Sequence, residues 1–148
     1  MTATNLPSVD LKTLPGIRQF DLTGQVAVIT GGSKGLGAAI AAGLASAGAV
    51  TVIASRGLAE AQVVADEIAS GFGKRSLAVS VDVNEPGSVD AMVRTVIDAT
   101  GRIDILVNSA GINIRGSIAD LTHDQFQQVQ RTNVDGTWLC CKACLLYT

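Results

Sequence analysis

Aromatic residues are scarce here, making up 3% of the 148 residues, so an interior built on rings is excluded. The core must come from Val, Ile, Leu and Ala, the material of layered α/β proteins. Lys and Arg number 11 against 13 Asp and Glu, a formal net charge of -2 with no basic run. That balance supplies no electrostatic footprint for nucleic acid or an anionic membrane. Long apolar runs are missing as well. The most apolar window, residues 37–54, is broken by Ser46, Gly48 and Thr51 and reads as helix, turn and strand, not as a membrane span. The amino terminus shows no basic segment followed by an apolar one, so no signal peptide is expected. A cytoplasmic protein follows from these absences.

Histidine occurs once, at His123, just inside the start of a helical pattern, where a surface residue is a better reading than a general base. Cys140, Cys141 and Cys144 are the only cysteines. Cys140 and Cys144 share a helix face, but no further thiol or nearby His completes a zinc site. Buried or half-buried reduced thiols are the better reading. Glu60, Asp66 and Glu67 fall on the wet face of a helix, and no metal site is expected.

What is present is a globular composition. Hydrophobic residues reach 47% and the mean hydropathy is +0.37, too apolar for disorder. The length suits one domain. Residues 1–24, with Pro7, Pro15, Gly16 and Gly24, read as an irregular leader with room for one short turn of helix. Residues 25–148 read as the folded domain.

Within it, strands at 25–30, 50–55, 76–81 and 103–107 alternate with helices at 35–47, 58–70 and 86–100. A loop at 108–121 leads to one long helical pattern at 122–147, opened by a capping box between Thr122 and Gln125. Gly48, Gly71, Gly73 and Gly101 stand at helix ends, and Pro86 opens a first turn. Strands alternating with helices imply right-handed βαβ units and a parallel sheet.

The chain is organised around Val26-Ala27-Val28-Ile29-Thr30-Gly31-Gly32-Ser33-Lys34-Gly35-Leu36-Gly37. A β-branched strand runs into a glycine turn and then into an alanine-rich helix. Such a unit presents free backbone N–H groups to a phosphate. The glycine spacing differs from G-x-G-x-x-G. Gly31 and Gly35 would take turns closed to β-carbons, and Gly37 would let the helix pack close to the first strand. At the end of the second strand, an acidic residue would grip a ribose 2′-hydroxyl. Ser55 and Arg56 stand there instead. Arg56 and Lys34 suit a 2′-phosphate and hence NADP(H); the alternative is that both are solvated surface charges. Asp82, after the third strand, could hold an adenine edge or cap the turn before Pro86.

Thr30 to Gly37 resembles the TGxxxGxG signature of the short-chain dehydrogenase/reductase family. The likeness continues in order. Asp82-Val83 resembles the adenine-contacting pair, and Asn108-Ser109-Ala110-Gly111 resembles NNAG with Ser109 for the second Asn. Thr132-Asn133-Val134-Asp135-Gly136 resembles the segment bearing the family's active-site asparagine. The resemblance implies a Rossmann-type, doubly wound α/β sheet in the order 3-2-1-4. It also implies an NAD(P) cofactor and hydride transfer between an alcohol and a carbonyl of a small molecule. Cofactor contacts would fall to Thr30, Gly31, Ser33, Lys34, Gly35, Leu36 and Gly37, then to Ser55, Arg56, Asp82, Val83, Asn108, Ala110 and Gly111. Asn133 would be the catalytic position.

The likeness breaks at the remaining catalytic groups. The family uses a Ser, and a Tyr with a Lys four residues on. Here the one tyrosine, Tyr147, is penultimate and reads as a packing residue on the Asn133 helix. The domain therefore reads as truncated after the fourth strand and its helix, inactive alone, and marginally stable with one apolar edge open. The complete enzyme could form a homo-oligomer through the Asn133 helix. The rival reading is a non-catalytic nucleotide-binding or interaction module.

Overall fold

In the computed structural model, which describes residues 16–147, four strands form one parallel sheet. The strands are β1 (Val26–Thr30), β2 (Val50–Ser55), β3 (Ser76–Ser80) and β4 (Ile105–Asn108). Their spatial order is β3-β2-β1-β4, the order the resemblance implies. Val26 pairs with Val50 on one side of β1, and Ala27 with Ile105 on the other. Of the expected leader, residues 1–15 lie outside the described residues. Gly16–Phe20 forms a short, exposed 3-10 turn.

The strand alternation divides the core between two faces. Val26, Val28, Val52 and Ala54 pack with Val89, Met92, Val93, Val96 and Cys140. These belong to α3 (Pro86–Thr100) and α5 (Gly136–Leu145). Ala27, Ile29 and Ile53 pack with Ala41, Ala45, Ala61, Ala65 and Ile68 of α1 (Gly35–Ser46) and α2 (Leu58–Phe72). Alanine on both helices lets them lie close to the sheet. Every residue of β1 is buried, because it is covered on both faces and paired on both sides.

Gly73 and Gly101 end α2 and α3 in the left-handed conformation, at φ 62 and φ 79. Three boundaries differ from the sequence reading by more than one residue. Helix α2 runs through Gly71 to Phe72, because Gly73 supplies the stop. β4 starts at Ile105, since the Asp104 carboxylate accepts the Val26 N–H at 2.8 Å where a ladder would have begun. The pattern expected as one helix over 122–147 divides into α4 (His123–Gln130), a π-turn (Arg131–Asp135) and α5. The capping box at its start is present: Gln125 N donates to Thr122 Oγ1 at 3.2 Å, and Thr122 N to Gln125 Oε1 at 2.9 Å.

Candidate functional site

The carboxyl ends of the strands open onto a cavity of about 560 Å³. The turn after β1 forms its floor. Gly31 has φ +67, and a β-carbon there would lie 2.7 Å from the Ala110 backbone. A β-carbon on Gly37 would fall against the Gly31 carbonyl. At these two glycines the bend is bare backbone closed to side chains, and Gly31 packs against the segment after β4. Ser33, Lys34 and Leu36 line it beside these glycines. Lys34 and Leu36 are exposed, Leu36 presenting 79% of its surface.

Thr30 and Gly35 act differently from what the motif suggests. The Thr30 side chain is 1% exposed; its hydroxyl donates to Val107 O and accepts from Ala110 N, each at 3.4 Å. It ties β1 to the segment after β4 and is not among the cavity-lining residues. Gly35 contributes its positive φ of 58, which turns the chain into α1.

After β2, Ser55 is buried and donates to Gly57 O at 2.9 Å, while Arg56 is exposed. Both line the cavity, with Gly57 and Glu60. Among the described residues the ion pairs are Arg102–Asp104 and Arg131–Glu85, so Lys34 and Arg56 carry no carboxylate partner. After β3, Asp82 and Val83 line the cavity. Asp82 Oδ1 accepts Asn84 N at 3.0 Å and Asn84 Nδ2 at 3.1 Å, so the turn-capping role is present in a residue that also faces the cavity. Thr132 donates to Asn84 Oδ1 at 3.2 Å, joining this turn to the π-turn.

After β4, Ser109, Ala110, Gly111 and Ile112 close the cavity. Asn108 stands behind them. Its Nδ2 lies 3.3 Å from Cys141 Sγ, and its buried Oδ1 has no hydrogen-bond partner among the described residues. Asn133 is also outside the lining. Its Oδ1 accepts Ile112 N at 2.9 Å and its Nδ2 donates to Ile112 O at 3.0 Å. It therefore holds the segment that forms the wall.

The sequence reading passed over Gly57, Glu60, Val81, Asn84, Ser109, Ile112 and Thr132 as lining residues. Ser109 and Thr132 stand inside quoted motifs and Ile112 adjoins one, so all three could have been found by neighbourhood. Glu60 is exposed, as a wet helix face implies, and also lines the cavity. Tyr147, expected as a packing residue on the Asn133 helix, follows the end of α5, is 46% exposed and is not among the cavity-lining residues. His123 is exposed at the start of α4. Among the described residues no group of three His, Cys, Asp or Glu is placed to hold a metal, and no helix is long and apolar enough to cross a membrane.

A family model described as short chain dehydrogenase matches residues 25–147. The chain belongs to the short-chain dehydrogenase/reductase family. It is 37% identical over 126 residues to a short chain dehydrogenase/reductase of Aspergillus oryzae, covering 84% of this chain and 48% of that protein. It is 39% identical over 124 residues to a 3-oxoacyl-[acyl-carrier-protein] reductase of Synechocystis, covering 82% of this chain and 49% of that protein. The crystal structure of a short-chain type dehydrogenase/reductase from Mycobacterium marinum superposes with a TM-score of 0.85 at 39% identity, covering 88% of this chain and 53% of that one. The chain spans about half the length of the curated relatives it matches.

Membership in this oxidoreductase family implies an NAD(P) cofactor, and the residues present fit one. The bend at Gly31 and Gly37 is a cradle that β-carbons would fill, and it opens a helix whose N-cap, Lys34, makes no side-chain cap.

Proposed function

We propose that this chain is the cofactor-binding half of an NADP(H)-dependent oxidoreductase that moves hydride between an alcohol and a carbonyl. The observation that carries the NADP(H) preference is the pair Lys34 and Arg56. Both line one cavity without a carboxylate partner, and β2 ends in Ser55, not an acid. Each charge-assisted hydrogen bond to a 2′-phosphate contributes roughly 1.5–3 kcal/mol, on the order of 10- to 100-fold in affinity.

In this reading the amides of the Gly31–Gly37 bend, with Ser33, take the pyrophosphate. Asp82 and Val83 receive the adenine. Ala110 and Gly111 bound the nicotinamide side, where Leu36 offers an apolar surface. Thr30, Gly35 and Asn108 act by shaping the turn and the sheet end. Asn133 fixes the Ile112 segment as the wall of the site. The cofactor, when bound, supplies the hydride.

The 148 residues contain no Tyr-x-x-x-Lys, so we propose that this chain binds cofactor without turning it over. That leaves the proton of carbonyl reduction without a donor. The complete enzyme would act in the cytoplasm on a small alcohol or carbonyl compound, with homo-oligomer formation open to it. The Synechocystis relative's name speaks of a 3-oxoacyl-[acyl-carrier-protein], and nothing in this half selects that substrate.

Fluorescence titration tests the reading. NADPH is expected to bind at least about tenfold more tightly than NADH, with Arg56→Asp reversing the order. Equal affinities would remove the 2′-phosphate site. Carbonyl reduction by the 148-residue chain at an enzyme-like rate would refute the proposed inactivity.

A further inference from the structure

Glu60 sits in the first turn of α2 and lines the same cavity as Lys34 and Arg56. Its side chain folds back over Gly57, the residue after Arg56. A β-carbon on Gly57 would meet Glu60 Cδ at 2.9 Å and overlap Oε2 outright. The carboxylate thus lies over the backbone of the residue that follows Arg56 in the chain, on the same cavity. It pairs with neither basic side chain, since the ion pairs among the described residues lie elsewhere. Arg56 and Glu60 thus line one cavity without pairing with each other.

We infer that Glu60 is a specificity-determining residue, whose carboxylate limits how strongly the site prefers a 2′-phosphate over a 2′-hydroxyl. The inference rests on the reading of Arg56 as the phosphate ligand. A 2′-phosphate brings roughly -1.5 to -2 charges toward this corner, and a carboxylate lining the same cavity repels it. A 2′-hydroxyl is neutral and can donate to the same carboxylate. Glu60 therefore pulls selectivity against Arg56, and the pair sets the balance between the two nucleotide classes. In the sequence alone Glu60 reads, with Asp66 and Glu67, as the wet face of a helix.

Isothermal titration of the 148-residue chain with adenosine 2′,5′-bisphosphate and with adenosine 5′-monophosphate isolates this corner. Glu60→Gln keeps the shape and removes the charge. It is expected to raise affinity for the bisphosphate by roughly three- to tenfold, leaving the monophosphate unchanged or weaker. Glu60→Ala should move the ratio in the same direction, and neither variant should lose helix content by circular dichroism. Arg56→Ala separates the two levels of the argument. If it weakens only the bisphosphate while Glu60→Gln changes nothing, or shifts both ligands together, the role of Glu60 is refuted and that of Arg56 stands. If Arg56→Ala leaves the ratio unchanged, or neither ligand binds, the phosphate assignment fails and Glu60 falls with it.

Discussion

Gly31 bears two constraints together, a φ of +67 and a would-be β-carbon 2.7 Å from Ala110. Gly31→Ala should cost about 1–3 kcal/mol from overpacking, seen as a lower urea midpoint, and should abolish nucleotide binding. Gly43 is the contrasting case. It lies in α1, exposed, with nothing within 4 Å of a β-carbon. Gly43→Ala should stabilise the chain by about 0.5–1 kcal/mol in the same titration. Asp104 links folding to pH. Its pKa is lowered from the ordinary carboxylate value, chiefly by the hydrogen bond from Arg102, with burial opposing and the Val26 N–H assisting. A folded pKa below the unfolded one means that its stabilisation is complete above the unfolded value and is lost as pH falls through the folded one. The stability gap between the native chain and Asp104→Asn should therefore shrink between about pH 5 and pH 2 in denaturant titrations. Burial pushes the Cys140 thiol up to about 12 and Cys144 up to about 11, while Cys141 is exposed. A neutral-pH thiol assay should find Cys141 reacting in the native chain and the other two only on unfolding.

The π-turn between α4 and α5 is the element with the most direct bearing on the site. Its bond from Gly136 N to Arg131 O adds one residue to the helical repeat, which re-aims Asn133. Beside the Thr132–Asn84 bond and the Arg131–Glu85 ion pair, two further contacts hold it. Asn133 clasps Ile112 through both side-chain polar atoms, and Gly136 lies so close to Val83 that a β-carbon would come within 2.8 Å of Val83 Cγ2. Asn133→Ala should leave the sheet intact, lower stability by about 1–3 kcal/mol for two hydrogen bonds, and speed amide exchange at Ile112. Unchanged exchange there would show that the clasp does not hold the wall. The capping box at Thr122, the Pro86 start and the glycine stops were all legible in the sequence, because each is a local device. The π-turn was not. Apolar spacing over 122–147 supports a helix whether or not one residue is added, and the groups that decide it lie on other segments.

The sheet as a whole has one strand, β4, paired only with β1 among the described residues. Its residues are half-buried. Nearby helical surface is apolar too: Trp138, Leu145 and Leu146 are 58%, 78% and 73% exposed. An apolar edge beside apolar surface favours association. Sedimentation of the 148-residue chain should show concentration-dependent self-association, and Trp138→Arg should reduce it. NADPH at about one hundred times its dissociation constant should stabilise the folded chain by about 2.7 kcal/mol. A melting temperature unmoved by NADPH would contradict the proposed site.

Strand, turn and helix positions could be read along the chain because they follow from neighbours in sequence: β-branched runs, glycine stops, a capping box. The parallel order β3-β2-β1-β4 was reachable from motifs taken in order. Folding in three dimensions decided the division of labour inside those motifs. Thr30 and Asn133 became ties between segments, and Asn108 stands behind the wall. Glu60 was drawn into the cavity from a helix that looked merely wet. Such roles depend on which backbone passes within about 3 Å of a side chain, the reach of a hydrogen bond. That distance is set by packing between distant segments, which spacing along the chain does not encode.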